Sequence, residues 1–166
     1  MTDKISTCIW YDFNQALPAA QFYMSLGLAD SHIERVITTP SDNPSTKAGD
    51  DLLVEFVLAG RAYCGLNGGP RFPQTEAVSL MIVTEDQAET DRLWNQIIDN
   101  GGQASACGWC KDRWGVNWQI TPRRMLELLA DPDPDRAKAA FDAMGNMTLI
   151  KIADLEAALS ALSPAA

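Results

Sequence analysis

Cys107-Gly108-Trp109-Cys110 opens the densest run of reactive and aromatic residues in the chain, CGWCKDRWGVNWQITP from Cys107 to Pro122. These sixteen positions hold three of the five Trp and two of the four Cys, with Lys111, Asp112 and Arg113 between them. A CxxC pair serves as a redox couple or as half of a zinc site. A structural zinc needs four ligands, and the remaining Cys8 and Cys64 fall inside strand patterns with no second CxxC and no paired His. A dithiol active site opens a helix whose N-terminus lowers one thiol pKa, whereas this pair runs into a charged triplet and a strand pattern. The thiols therefore read as buried or cavity-lining groups. Trp109, Trp114 and Trp118 are interleaved with Asp112, Arg113, Asn117 and Gln119. Aromatic walls with a few convergent polar groups describe a small-molecule pocket, and the same residues equally describe a core edge.

Other candidate chemistry is sparser. His32 is the only His, so any Ser-His-Asp or Cys-His arrangement has to recruit it, and its place on a strand pattern of the first half suits a solvent-facing or satisfied structural His. The carboxylate pairs Asp50-Asp51 and Glu85-Asp86 fall at a loop and a helix start, where solvation and the helix dipole account for them. Asn67-Gly68-Gly69-Pro70 does not lead from a strand into a helix, as a phosphate-binding glycine loop must, and reads as a linker turn.

The elements that position these residues follow from periodicity. Ile5 to Phe13 is rich in β-branched and aromatic residues and predicts a strand. Asn14 is the expected cap of a helix carrying Leu17, Ala20, Tyr23 and Met24 on one face, stopped by Gly27. His32 to Thr39 predicts a strand and Pro40 to Asp51 a loop; Leu52 to Leu58 and Ala62 to Leu66 predict a hairpin turning at Ala59-Gly60-Arg61. After the Asn67 to Gln74 turn the order restarts, with a strand over Ala77 to Val83, a capping box at Thr84 and Gln87, and a helix burying Leu93, Trp94, Ile97 and Ile98 before Gly101. The stopping glycines Gly27 and Gly101 lie 74 positions apart, which makes a repeat of pattern the economical reading. Asp131 to Asp135 predicts a turn, and Arg136 to Met144 and Ile152 to Leu162 predict two amphipathic helices.

Composition narrows the function. At 166 residues, 46% hydrophobic and 21% charged, the chain is sized for one domain of two fused halves and has no segment of disordered composition. A net charge of -9 repels phosphate backbones and anionic lipid, so neither nucleic acid nor membrane is an expected partner. The N-terminal residues show no basic region followed by an apolar one, and the expectation is a cytoplasmic protein with reduced thiols.

A family resemblance rests on particular residues: Cys8-Ile9-Trp10-Tyr11-Asp12, Gln21-Phe22-Tyr23, Asn67-Gly68-Gly69-Pro70, Glu89-Thr90-Asp91-Arg92-Leu93-Trp94, Cys107-Gly108-Trp109, Trp118-Gln119, and in the tail Met147 and Lys151 to Leu155. With the repeated strand-helix-strand order, the chain resembles the PhnB-like branch of the vicinal-oxygen-chelate superfamily, the glyoxalase and bleomycin-resistance fold, a branch labelled 3-demethylubiquinone-9 3-methyltransferase domain. The resemblance implies an α+β fold of two βαβββ halves, residues 1–67 and 75–122, with curved mixed sheets enclosing a cavity and a helical extension over 123–166. It also implies a homodimer. Metal-dependent members carry His, Glu or Gln ligands at positions that fall here on Ser6, a residue near Leu66, Ser79 and Gln119. Ser is a poor ligand for a transition metal, so the expectation is a cavity without a metal or other cofactor. The expected wall is Trp10, Ser79, Trp109, Arg113, Trp118 and Gln119, and the expected function is binding of a small polar or aromatic molecule. The alternative is an isomerase, lyase or group transferase using Asp12, Cys110 or Asp112 as acid or base, and a third reading is an interaction subunit whose cavity is filled by its own side chains. Methyl transfer from S-adenosylmethionine lacks the usual glycine turn and ribose-binding acid.

Overall fold

The structure is a computed structural model that describes residues 4–162, and the chain divides into two compact units, Met1–Gln74 and Thr75–Ala166. The first unit runs β1 (Thr7–Tyr11), α1 (Ala16–Ser25), β2 (His32–Thr38), β3 (Asp51–Leu58) and β4 (Arg61–Asn67), in the sheet order β1-β4-β3-β2. Only the β1 and β4 pair is parallel. Strand alternation sends Ile9 and Tyr11 of β1 to the face covered by α1, whose Ala16, Ala19, Ala20 and Tyr23 are buried. Gly65 sits where a Cβ would come within 3.0 Å of the Ala16 Cβ and 3.2 Å of the Tyr11 ring, so the helix packs close because β4 has no side chain there. Ala59 and Gly60, with φ of 49° and 73°, form the left-handed pair that a two-residue hairpin requires.

The expected cap of α1 is corrected. Asn14 has φ 56° and caps nothing; the buried Asn67 on β4 instead accepts from the Ala16 N–H at 2.9 Å and donates to the Asp51 carbonyl at 2.8 Å. One amide thus ties the helix start to two strands.

On the opposite face of this sheet, Arg35 and Glu55 are cross-strand partners and form a bidentate pair at 2.7 and 3.1 Å. The hydrogen bond from Arg35 holds the Glu55 carboxyl below the ordinary carboxylate range. A lowered carboxyl stabilises the fold fully above that range and loses its contribution as pH falls through the lowered value. Glu55→Gln should therefore reduce the urea midpoint at pH 7, and the gap from wild type should close below about pH 4; a gap independent of pH would exclude the ion pair as its source.

The second unit repeats the topology with β5 (Ser79–Thr84), α2 (Gln87–Asp99), β6 (Gln103–Ala104), β7 (Trp109–Lys111) and β8 (Asn117–Pro122), in the order β5-β8-β7-β6. The capping box is shifted two residues from its expected place: Asp86 Oδ1 accepts from the Glu89 N–H at 2.8 Å and Glu89 Oε2 accepts from the Glu85 N–H at 2.8 Å. Thr84 instead reaches Thr90 of α2, hydroxyl to hydroxyl at 2.6 Å, which identifies the face of β5 that the helix covers. Three helices follow where two were expected: α3 (Arg123–Leu129), α4 (Pro134–Gly145) and α5 (Ile152–Ser160). Their own core is Met125, Leu128, Ala140, Ile150, Leu155 and Leu159. The seven-residue α3 was missed because its two buried side chains, Met125 and Leu128, make too short a stripe to show a period. Among the described residues no helix is long and apolar enough to cross a membrane.

Candidate functional site

The turn between β7 and β8 is built on one carboxylate. Asp112, 3% exposed, accepts from the Trp114 N–H at 2.9 Å and the Val116 N–H at 3.0 Å through Oδ1, and from Trp118 Nε1 at 3.0 Å through Oδ2. This residue was a candidate acid or base; its oxygens are instead committed to closing the turn and holding an indole. Gly115, with φ 85°, completes the reversal.

Register then sorts the side chains. Trp118 pairs with Leu80 and Ile120 with Ile82, four and two residues before Thr84 on the helix-covered face, so Trp118 belongs to the core beside α2 and is fully buried. The opposite face carries Ser79 and Met81 on β5, Asn117 and Gln119 on β8, Trp109 and Lys111 on β7, and Gln103 on β6, in two adjacent rows: Ser79, Asn117, Lys111, Gln103 and then Met81, Gln119, Trp109. A depression of about 450 Å³ opens here, lined by Trp109, Cys110, Lys111, Asn117, Gln103, Cys107 and Glu76, with the 104–106 turn as its rim.

Of the expected wall residues, the structure brings Ser79, Trp109 and Gln119 to this one face, and only Trp109 lines the depression. Trp118 lies on the opposite, helix-covered side. Arg113 is exposed in the turn, its guanidinium 4.3 Å from the centre of the Trp114 ring. Trp10, in the first unit, is covered by the turn that follows β4: its Nε1 donates to the Gly69 carbonyl at 2.7 Å and its ring meets Phe72 edge-on at 4.9 Å. A Cβ on Gly68 would fall 2.1 Å from the Trp10 indole, so the Gly-Gly pair is a close-fitting cover over that ring. Lys111, Asn117, Gln103 and Glu76 were missed as lining residues, whereas Cys107 and Cys110, read as buried or cavity-lining thiols, both border the depression. Alternation was the available signal, because Lys111 stands two positions from Trp109 and so shares its face.

Where the resemblance places metal ligands in this unit, Gln119 Nε2 donates to Ser79 Oγ at 2.8 Å. An amide and a hydroxyl satisfying each other supply no anionic or imidazole donor, and the described residues contain no group of three His, Cys, Asp or Glu able to hold a metal ion. The donor set does not fit a divalent transition metal. Cys110 is 1% exposed and burial, followed by the nearby Asp112 charge, pushes its thiol up to about 12. It remains a neutral thiol at physiological pH, unsuited to a redox couple with Cys107. The Cys107 turn is fixed by the chain's C-terminal part, since the Cys107 N–H donates to the Met147 carbonyl at 2.7 Å and the Gly108 N–H to the Thr148 carbonyl at 2.8 Å.

The comparisons agree with this architecture. Residues 3–121 match the family described as 3-demethylubiquinone-9 3-methyltransferase, a match that stops short of the Met147 to Leu155 segment in the tail. Among solved structures, the PhnB protein from Bacillus cereus is 26% identical over 72% of this chain and 99% of its own, with a TM-score of 0.63. A protein from Pseudomonas aeruginosa is 18% identical over 73% of this chain and 98% of its own, with a TM-score of 0.55, a likeness of fold. No curated protein matches the chain. With the repeated strand-helix-strand units and the residues that carry the resemblance, these findings make the chain a member of the 3-demethylubiquinone-9 3-methyltransferase family, the PhnB-like branch of the vicinal-oxygen-chelate superfamily.

Proposed function

We propose that this protein binds a small polar or aromatic molecule without a metal, using the depression beside Trp109. The observation that carries the reading is the depression itself: about 450 Å³, within the range of small-molecule sites, with one aromatic wall and a few polar groups from three strands and a turn. The Ser79 and Gln119 pair supports the metal-free part, because it occupies the ligand positions with groups that bond each other. A chelator-free preparation analysed for metal should contain none in stoichiometric amount; one equivalent of zinc, nickel or manganese would overturn that part.

The family's label names methyl transfer, and the strand-to-helix turns do not suit a nucleoside cofactor. β1 reaches α1 through Asp12-Phe13-Asn14-Gln15 and β5 reaches α2 through Glu85-Asp86, with no glycine at either helix start. The second unit's acid and base candidates are also poorly suited to proton transfer: Asp112 is committed to its turn, and Cys110, which lines the depression, is held neutral by burial. Binding is therefore the favoured function.

Trp109→Ala is the direct test. Removing the aromatic wall should weaken any compound found by calorimetric screening of aromatic and polar fragments by at least about tenfold, on the order of 1.4 kcal/mol. Unchanged affinity would place the site elsewhere. We further infer that the protein is a cytoplasmic homodimer. Val78, just before the edge strand β5, and Met81 on it, 72% and 52% exposed, offer apolar surface that supports association, and sedimentation equilibrium tests it.

A further inference from the structure

The depression holds a cation that the rest of the second unit leaves unneutralised. Arg92, Arg123, Arg124, Arg136, Lys138 and Lys151 each lie within ion-pair distance of a carboxylate. Among the described residues Lys111 has no such partner, and neither has Arg113, which is exposed in the β7 to β8 turn against Trp114; of the two, only Lys111 lines the depression. It is half-buried on β7, opposite Asn117 of β8 and Gln103 of β6, in a row whose other member is the Ser79 hydroxyl. An ammonium flanked by amides on a concave face, in a chain of net charge -9, is a local reversal of the field. Partial burial strengthens its attraction for an anion relative to an ion pair in open water.

The neighbouring row supplies the second contact. Trp109 lies two residues before Lys111 on the same face of β7, about 7 Å along the strand. A ligand that fills both positions has a flat apolar body for the indole and a negative group a short distance from it. Glu76 lines the same depression and is not ion-paired with Lys111. Its charge opposes every anion in the depression, least for a single negative group directed at Lys111 and more for a second negative group elsewhere in the site.

We propose that the depression is a site for a small aromatic monocarboxylate, its ring against Trp109 and its carboxylate on Lys111 Nζ. This deepens the binding function proposed above and rests on it. Asn117, opposite Lys111 in register, has its Nδ2 donating to the Gly115 carbonyl at 3.3 Å, which fixes the amide at the edge of the site. Phosphate esters and dicarboxylates are disfavoured by Glu76 and by the single cation.

The test is titration calorimetry of the full chain with benzoate, its uncharged analogue benzyl alcohol, and the dianion phthalate. Benzoate should bind at least about tenfold more tightly than either, and its affinity should fall with added salt. Lys111→Met should remove that preference, weakening benzoate at least about tenfold more than it weakens benzyl alcohol. Lys111→Arg should restore benzoate to within a few fold, which separates loss of the charge from damage to the strand, and thermal melts of both variants report the latter. Equal binding of benzoate and benzyl alcohol, or benzoate binding insensitive to Lys111→Met, overturns the assignment of an anionic ligand and leaves the aromatic site standing. Failure of all three compounds, together with no response of the Trp109 indole N–H in an NMR titration, overturns the binding function itself.

Discussion

Asp112→Ala should lower the unfolding free energy by about 3 kcal/mol, because three N–H donors lose a buried charged acceptor. The carboxylate takes three N–H donors while only 3% exposed. Deletion leaves the Trp118 Nε1–H buried without its acceptor, at about 1–3 kcal/mol, and frees the two backbone donors that close the β7 to β8 turn. Asp112→Asn should recover only part of the loss, because an amide that keeps its oxygen on the backbone donors presents an NH2 group to the indole N–H. Urea denaturation followed by tryptophan fluorescence measures both variants. A fall below about 1 kcal/mol for the Ala variant would mean that the turn closes without the carboxylate. The effect also reaches the site, since the turn sets the register that brings Lys111 opposite Asn117.

The same residue shows where sequence reasoning stops. Hydrophobic period gave both strand-helix-strand units and the buried stripe of α2, since burial of Leu93, Trp94 and Ile97 is a local property of spacing. Contacts made across the sheet were not local. Asp112, between two Trp in a polar stretch, has the composition of a pocket group, and only the folded turn shows that its oxygens are taken. Asn67 caps α1 from 51 positions away, a partnership that no window around Asn14 contains. Trp118 and Gln119 were expected on one wall although neighbours on a strand face opposite ways; applying alternation strictly separates them, and the Thr84 to Thr90 contact decides which of the two meets the helix. Lys111 was passed over while its neighbours Asp112 and Arg113 were weighed, and what separates it from Arg113, which likewise has no carboxylate at ion-pair distance among the described residues, is its half-buried place in the depression.

Gly108→Ala should cost about 2–6 kcal/mol, and its consequences should extend to ligand binding. Gly108 has φ 79°, where a Cβ is strained whatever the surrounding space, and Cys107 before it already occupies φ 57°. The added Cβ would lie 2.8 Å from the Ile120 carbonyl oxygen and 3.0 Å from Ile150 Cγ1. The first contact is backbone that is itself bonded, because the Ile120 N–H donates to the Gly108 carbonyl at 2.9 Å. The second belongs to the core of α3, α4 and α5, in which Ile150 is fully buried. Strain of roughly 1–3 kcal/mol from the dihedral and a similar overpacking term act together. Relief requires the Cys107 turn to move from the Met147 and Thr148 carbonyls that fix it, and Cys107 and Trp109 line the depression. The expected result is a lower thermal midpoint together with faster amide exchange at Cys107 and Gly108. A variant with wild-type stability and unchanged exchange at those amides would show that the helical extension does not hold this wall. Because the family match ends at residue 121 and the segment that fixes the turn lies at 147–150, the shape of this wall is supplied by the part of the chain beyond the matched residues.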